Sequence, residues 1–91
     1  MNRTYEIRER KSLLELEAQL HKLYKKYEGK VYKHRNGEKY VVVDSTIINM
    51  NGSSFYGLVY CPFEGGAIFS RVRHARCLQE FLDGRFEEVT E

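Results

Sequence analysis

The sequence predicts an α+β fold, mostly antiparallel β, in which an N-terminal amphipathic helix is followed by a five-stranded small barrel. Residues 4–27 contain no Gly or Pro and repeat apolar residues at a helical period. Residues 29–91 instead hold β-rich runs separated by turns that contain Gly. A chain of 91 residues with 42% hydrophobic residues suffices for one modest core. We therefore interpret residues 1–91 as one domain, with the helix over 1–28 and the barrel over 29–91.

An apolar stripe predicts the helix. Its members recur three or four residues apart, which places on one helix face Leu13, Leu16, Leu20, Leu23 and Tyr27. Two helix starts fit. Ser12 and Glu15 have the capping-box spacing, but we favour a longer helix that begins near Thr4 with frayed first turns. Gly29 ends it, because glycine readily adopts the left-handed conformation just past the last turn. The stripe covers only about two heptads, so it packs on the barrel or joins two copies in a homodimer.

Four β-rich runs follow, and the strands are predicted at residues 31–35, 39–48, 55–61 and 67–73. Asn36-Gly37 is a type I′ hairpin signal, because both central residues tolerate positive φ. Gly57 indicates a bulge or bend inside the third strand. Pro62 is expected to end that strand, since proline has no N–H to donate to the ladder.

The last part of the chain changes period. Within residues 75–83, Leu78, Phe81 and Leu82 have helical spacing, which predicts one or two helical turns. A strand-like pattern resumes over residues 85–89. Four strands in hairpin order, a helical turn and a fifth short strand are the layout of an SH3-like small barrel. An open antiparallel sheet with the helix laid across it is the alternative.

Charge is distributed unevenly. Residues 1–28 carry seven Lys/Arg against five acids, residues 29–76 carry seven against three, and residues 77–91 carry one against five. The net charges of the three segments are therefore +2, +4 and −4. The total net charge of +2 is too small to indicate nucleic-acid binding by itself. One interpretation is that the acidic tail folds back and neutralises the basic body.

The two cysteines, Cys61 and Cys77, are too few for a disulfide scaffold, and their spacing says nothing about a bridge. No apolar run approaches the roughly 20 residues that a membrane span needs, and the N-terminus has no signal-peptide pattern. A cytoplasmic protein with reduced thiols and no membrane contact is therefore expected.

Two groups of motifs carry a resemblance to a family. The first group runs through the opening strands and contains Gly29, Tyr32, His34, Tyr40 and Val42. The second group lies further on and contains Val59-Tyr60, Gly65-Gly66, Phe69-x-Arg71 and Glu80-Phe81-Leu82. Over residues 29–89 the chain resembles an uncharacterised family of small bacterial and phage SH3-like domains, and it departs from that pattern at residues 44–54 and 74–77. The resemblance implies the fold and no settled activity. A compact chain of this size that resembles phage-borne proteins fits a protein that binds and inhibits a host protein or complex, and this is our hypothesis for its role.

The residues that could carry catalysis or bind a metal do not form a recognised pattern. His74 and Cys77 have H-x-x-C spacing, but a zinc site needs about four converging ligands and no second close pair is present. Nothing places either cysteine beside a histidine base. Asp44 and Glu64 are isolated carboxylates, and no phosphate-binding glycine loop occurs. We therefore predict a protein that is not an enzyme and has no cofactor.

Basic and aromatic residues are the candidate binding residues: Tyr32, Lys33, Arg35, Tyr40, Tyr56, Tyr60, Phe69, Arg71 and Arg73. Tyr and Arg dominate the residues that contribute most to protein interfaces, and a small barrel with an aromatic groove binds extended peptides. The same residue types bind single-stranded nucleic acid by stacking bases and contacting phosphates. Tyr is also common on half-buried strands for purely structural reasons. We predict a protein-binding module, with single-stranded nucleic-acid binding as the alternative.

Overall fold

The computed structural model describes residues 5–90, and their architecture is α+β with antiparallel strands. In chain order the elements are β1 (Glu6–Ile7), α1 (Leu13–Tyr27), β2 (Val31–His34), β3 (Lys39–Met50), β4 (Ser53–Glu64), β5 (Ala67–Ile68), β6 (His74–Cys77), α2 (Leu78–Phe81) and β7 (Phe86–Val89). The strands form one sheet in the order β1-β4-β3-β2-β7, and β5 and β6 also pair with β4. The sheet is open, since no pairing joins β6 to β7 in the described part of the chain.

Helix α1 begins at Leu13, so the capping-box start is correct and the longer helix is wrong. The Ser12 Oγ accepts a hydrogen bond from the Glu15 N–H at 3.1 Å, and a Glu15 carboxylate oxygen accepts one from the Ser12 N–H at 2.8 Å. These bonds satisfy N–H groups that have no partner inside the helix, which fixes the first turn there. At the other end, Gly29 follows the helix with φ of 73°, as predicted.

The chain before Ser12 joins the sheet instead of extending the helix. β1 pairs with the start of β4, and the Tyr56 N–H donates to the Tyr5 carbonyl at 3.0 Å. Tyr5 and Ile7 also pack against the core. Sheet pairing and apolar burial together outweigh the helix propensity of this segment. Thr4, where the longer helix was predicted to begin, lies outside the described residues.

The apolar stripe of α1 packs against the sheet, mainly along β3. Burial increases along the helix: Leu13 is 78% exposed, Leu16 and Leu20 are half-buried, and Leu23 and Tyr27 are buried. The Leu20 carbonyl also accepts a hydrogen bond from the Ser45 hydroxyl of β3 at 2.7 Å. The second half of the stripe is therefore used within the molecule.

The core lies between α1, α2 and one face of the sheet. Its buried members are Leu23, Tyr27, Tyr32, Tyr40, Val42, Tyr56, Leu58, Tyr60, Leu78, Phe81 and Phe86. The rings of Phe81 and Phe86 stack with centroids 4.4 Å apart, which attaches α2 to β7. Among residues 5–90, no helix has the length and apolar character needed to cross a membrane.

The first hairpin turn differs from the prediction. At Asn36-Gly37 only Gly37 has positive φ, and its N–H donates to the His34 carbonyl at 2.7 Å. The type I′ prediction at this position is therefore wrong, because Gly37 adds a third residue to the loop. Both central residues have positive φ instead at Asn51-Gly52, 50° and 79°, in the β3–β4 turn.

Strand β4 continues through Pro62 to Glu64, so the prediction that Pro62 ends the strand is wrong. Pro62 lies opposite Tyr40 of β3. On its other edge, β6 pairs with residues 57–60 and β5 with residues 63–64. Pro62 therefore lies in a gap between two partner strands, where a residue without an N–H is tolerated.

The bulge or bend predicted at Gly57 of β4 is wrong in position, because the irregularity lies in the neighbouring strand β3. The register of the β3–β4 pair shifts between Val42 and Asp44. Gly57 serves a different purpose, because β6 approaches it closely: a Cβ at this position would lie 2.5 Å from the Arg76 carbonyl oxygen.

Two further boundaries differ from the sequence prediction. The strand predicted over residues 67–73 ends at Ile68, and the segment predicted as helical from residue 75 begins as β6 and becomes helical only at Leu78. The fourth strand of the predicted layout is therefore β6, which pairs with residues 57–60 of β4.

The acidic tail does fold back on the basic body. β7 pairs along its length with β2, which places Glu87 opposite Lys33. A carboxylate oxygen of Glu88 lies 3.9 Å from the Lys30 ammonium. This exposed pair contributes little stability by itself, but the strand pairing places acidic residues of β7 beside basic residues at β2.

Candidate functional site

The four tyrosines predicted to bind a partner belong to the core. Tyr32, Tyr40, Tyr56 and Tyr60 are only 4–9% exposed. Three of the rings contact other core rings: Tyr40 lies edge to face with Tyr60 at 5.2 Å, and Tyr32 with Phe81 at 4.9 Å. Tyr56 is buried in the same hydrophobic cluster. Rings that are packed in this way have no free face for a base or a peptide. Their burial therefore favours the structural interpretation, in which these tyrosines belong to the core.

Burial of Tyr32 predicts a loss of stability at alkaline pH. Desolvation, assisted by the charge of Glu88, raises the pKa of Tyr32 to about 12. An unfolded phenol ionises near pH 10, so the stabilising contribution is complete below about pH 10 and is lost as the pH rises towards 12. We expect urea unfolding to show a smaller drop in the free energy of unfolding between about pH 9 and pH 11 for Tyr32→Phe than for the wild type. Equal drops would contradict this assignment.

Lys33 and Arg35 are exposed near the end of β2. They line a small depression of about 130 Å³ together with His34, Gly84 and Arg85, among others. Arg85 is already paired with Asp83, with a guanidinium nitrogen 2.8 Å from a carboxylate oxygen, and Glu87 closes another side of the depression. Carboxylates of the chain thus compensate much of the positive charge here.

Phe69, Arg71 and Arg73 lie in a different place, on the connection from β5 to β6. We call residues 68–73 the basic apolar loop. Its large apolar side chains face solvent: Ile68 is 50% exposed, Phe69 65% and Val72 56%. Exposed apolar groups close to two arginines give a surface that offers both hydrophobic contact and positive charge.

Open depressions border the loop. One of about 390 Å³ is lined by Val43, Cys61, Ile68, Arg71 and Arg73. Ile68 also borders a second depression of about 500 Å³, which extends to Tyr24 at the end of α1. Phe69 borders a third depression, of about 410 Å³, on the side of the β2–β3 turn. Side chains of a partner could therefore enter on either side of the loop.

The arginines of the loop differ from three other arginines of the described chain, which are paired with carboxylates. Arg8, Arg76 and Arg85 each lie within ion-pair distance of a carboxylate, at 3.2, 3.6 and 2.8 Å. In the described part of the chain, the side chains of Arg71 and Arg73 have no hydrogen bond and no ion pair. Two positive charges without a carboxylate partner remain available to an external anion.

The cysteines and two of the histidines lie in or against the core. Cys61 and Cys77 are free, buried thiols. His74 stacks on Tyr60 with ring centroids 5.4 Å apart, and His34 packs edge to face on Phe86. Within residues 5–90, no three His, Cys, Asp or Glu side chains are placed to bind a metal ion together.

No protein-family model, no curated protein and no solved structure gives a significant match to this chain. Sequence reasoning identified Phe69, Arg71 and Arg73 but not Ile68 and Val72, although all five residues lie in the strand predicted over 67–73. The available signal was the closeness of apolar and basic residues just after the Gly65-Gly66 turn.

Proposed function

We propose that this protein is a non-enzymatic protein-binding module and that the basic apolar loop is its binding surface. The observation that carries this proposal is the combination of three exposed apolar side chains with two unpaired arginines in six consecutive residues. Removing such apolar groups from water favours association, and arginine adds directional hydrogen bonds to carboxylates. Arginine and large aromatic residues are also the types that contribute most to interface energies.

Single-stranded nucleic acid is the second candidate, and it has less support. Binding of this kind depends on exposed rings that stack on bases. The predicted tyrosines are buried, which leaves Phe69 as the exposed aromatic residue of the predicted set. Arg71 and Arg73 could neutralise about two phosphates, which would give only weak binding at physiological salt. The apolar groups beside them suit protein side chains better.

An SH3-like small barrel that remains open along one seam is our more detailed proposal for the fold. Strands β7, β2, β3, β4 and β6 follow one another as neighbours, and α2 stands just before β7, which is the predicted layout. The Arg76 guanidinium of β6 lies 5.7 Å from the ring centre of Phe86 in β7, so side chains bridge the seam. This arrangement supports a barrel in which the loop lies on the outer surface.

Other parts of the sequence interpretation stay predictions. They are the cytoplasmic location, the relation to phage SH3-like domains, inhibition of a host protein or complex, and a homodimer through α1. The dimer would have to use the start of the helix, where Leu13 and Leu14 are 78% and 77% exposed, because the later part of the stripe packs on the sheet.

A pull-down from lysate of the source cell tests the proposed function when it compares variants. We expect the wild type to retain one dominant protein, and Phe69→Ser with Val72→Ser to reduce that signal about tenfold or more, as for loss of central interface residues. Leu13→Ser with Leu14→Ser removes two apolar groups elsewhere that are even more exposed, and it should leave the signal unchanged. Equal retention by all three proteins would refute the proposal for this surface.

A further inference from the structure

The backbone of residues 69–73 is not used in the sheet. β5 ends at Ile68 and β6 begins at His74. Between them, no backbone group of residues 69–73 has a backbone hydrogen-bond partner in the described part of the chain. One local bond is present, in which the Ser70 hydroxyl accepts from the Val72 N–H at 3.1 Å. The segment therefore exposes most of its donors and acceptors to solvent.

The pairing register explains why this segment leaves the sheet. Ile68 lies opposite Phe63, and His74 lies opposite Tyr60. On β4, two residues lie between Tyr60 and Phe63. On the connection from β5 to β6, five residues lie between Ile68 and His74, so three of these five cannot pair with β4. Pro62 lies in this gap and cannot donate a hydrogen bond. The segment therefore bulges away from β4.

The amino acids in this segment nevertheless favour a strand. Phe and Val have high β propensity, and in an extended strand Phe69, Arg71 and Arg73 would lie on one face and Ser70 and Val72 on the other. This pattern predicted a strand over residues 67–73 from the sequence. A strand-forming sequence with free backbone groups is a template for pairing with another chain.

We infer that residues 69–73 pair, by β-strand addition, with an extended segment of the partner protein that carries Asp or Glu at alternate positions. This inference rests on the proposed function and specifies its partner. In an extended strand Arg71 and Arg73 project to the same side, so carboxylates two residues apart in the partner can meet both of them. In the same extended geometry Phe69 lies beside the arginines, on the side of the acids, and Val72 lies on the opposite side, where it offers apolar contact to the residues between the acids.

Amide hydrogen exchange with a synthetic probe tests the inference. The probe is the capped peptide Glu-Val-Glu-Ile-Glu-Val-Glu, and its matched control is Lys-Val-Lys-Ile-Lys-Val-Lys. We expect the acidic peptide to slow exchange about tenfold or more at alternate amides of residues 69–73. The lysine peptide should leave these amides unchanged, because its charges repel the arginines. A deoxythymidine oligonucleotide serves as the nucleic-acid comparison.

A charge exchange completes the experiment. Arg71→Glu with Arg73→Glu should lower the affinity for the acidic peptide about tenfold or more and create binding of the lysine peptide. Arg10→Glu with Lys22→Glu makes the same change in net charge at two exposed positions elsewhere and should bind like the wild type. Binding of the acidic peptide with no protection of residues 69–73 would overturn strand addition.

Failure of this inference is distinguishable from failure of the proposed function. One outcome is that Phe69→Ser with Val72→Ser loses the partner in the pull-down while the acidic peptide gives the wild-type amides of residues 69–73 no protection. In that case the surface binds protein through its side chains, and strand addition is wrong. Absence of acidic-peptide binding, or stronger protection by the oligonucleotide, also overturns the inference. If the pull-down shows no dependence on the loop, the proposed function itself fails.

Discussion

Phe81→Ala is expected to lower the free energy of unfolding by about 3–5 kcal/mol, as is usual for truncation of a buried Phe. Phe81 is only 1% exposed and is among the largest fully buried side chains. Its ring stacks on Phe86 at 4.4 Å and meets Tyr32 and Tyr60 edge to face at 4.9 and 5.5 Å. Its removal leaves a cavity between α2 and the sheet that three bulky neighbours cannot fill.

The size of this loss decides whether the chain stays folded. A domain of this length has a total stability of roughly 5–14 kcal/mol. Urea unfolding should therefore show a midpoint that falls sharply with little change in slope. Leu82→Ala is the matched control, because Leu82 is the next residue, is 43% exposed and should change stability by less than about 1 kcal/mol. Similar losses for both variants would show that Phe81 does not occupy the core.

The elements with strong local signals were predicted well. The capping box and stripe of α1, the strands β2 and β3, and the short helix before β7 all follow from periods and turn residues near in sequence. The helix start was predicted wrongly because burying Tyr5 and Ile7 against the core stabilises the protein more than a longer helix would. That gain depends on β4, about 50 residues further along the chain, which no local pattern reveals.

The candidate site shows a different limit. Alternation along β3 assigns Tyr40 and Val42 to one face and Val41 to the other, but apolar residues occupy both faces, and all three are buried. The two-residue alternation therefore sorts the side chains of β3 into two faces, but it does not indicate which face meets the core. The four tyrosines lie on the face that meets the core, so their rings are buried and offer little surface to a partner.

The irregular path of residues 69–73 also has a non-local cause. Its own sequence favours a strand, and Pro62 on the opposite strand prevents continuous pairing. The interruption could be found only by aligning the two strands, which requires the register. The conflict between a strand-forming sequence and an unpaired backbone is the kind of inconsistency that marks functional segments.

Gly57→Ala is expected to destabilise the protein by about 1–3 kcal/mol or more, as for overpacking of a close contact. The added Cβ would lie 2.5 Å from the Arg76 carbonyl oxygen and 2.6 Å from the Ile48 Cδ1. The side chain of Ile48 can rotate away, whereas the carbonyl belongs to the backbone of β6. The two strands must therefore move apart where Gly57 pairs with Cys77.

A double-mutant cycle separates these two contacts. Ile48→Ala in the Gly57→Ala background removes the flexible neighbour and leaves the carbonyl, so it should restore only part of the loss after correction for Ile48→Ala alone. Amides of β6 should also exchange faster in Gly57→Ala, while those of the β2–β7 pair keep their protection, since the strain lies at the β4–β6 contact. Full restoration by Ile48→Ala would show that the backbone approach of β6 is not the constraint. Because β6 fixes one end of the basic apolar loop, a loosened β4–β6 pair should weaken partner binding as well, without any change in the residues of the loop.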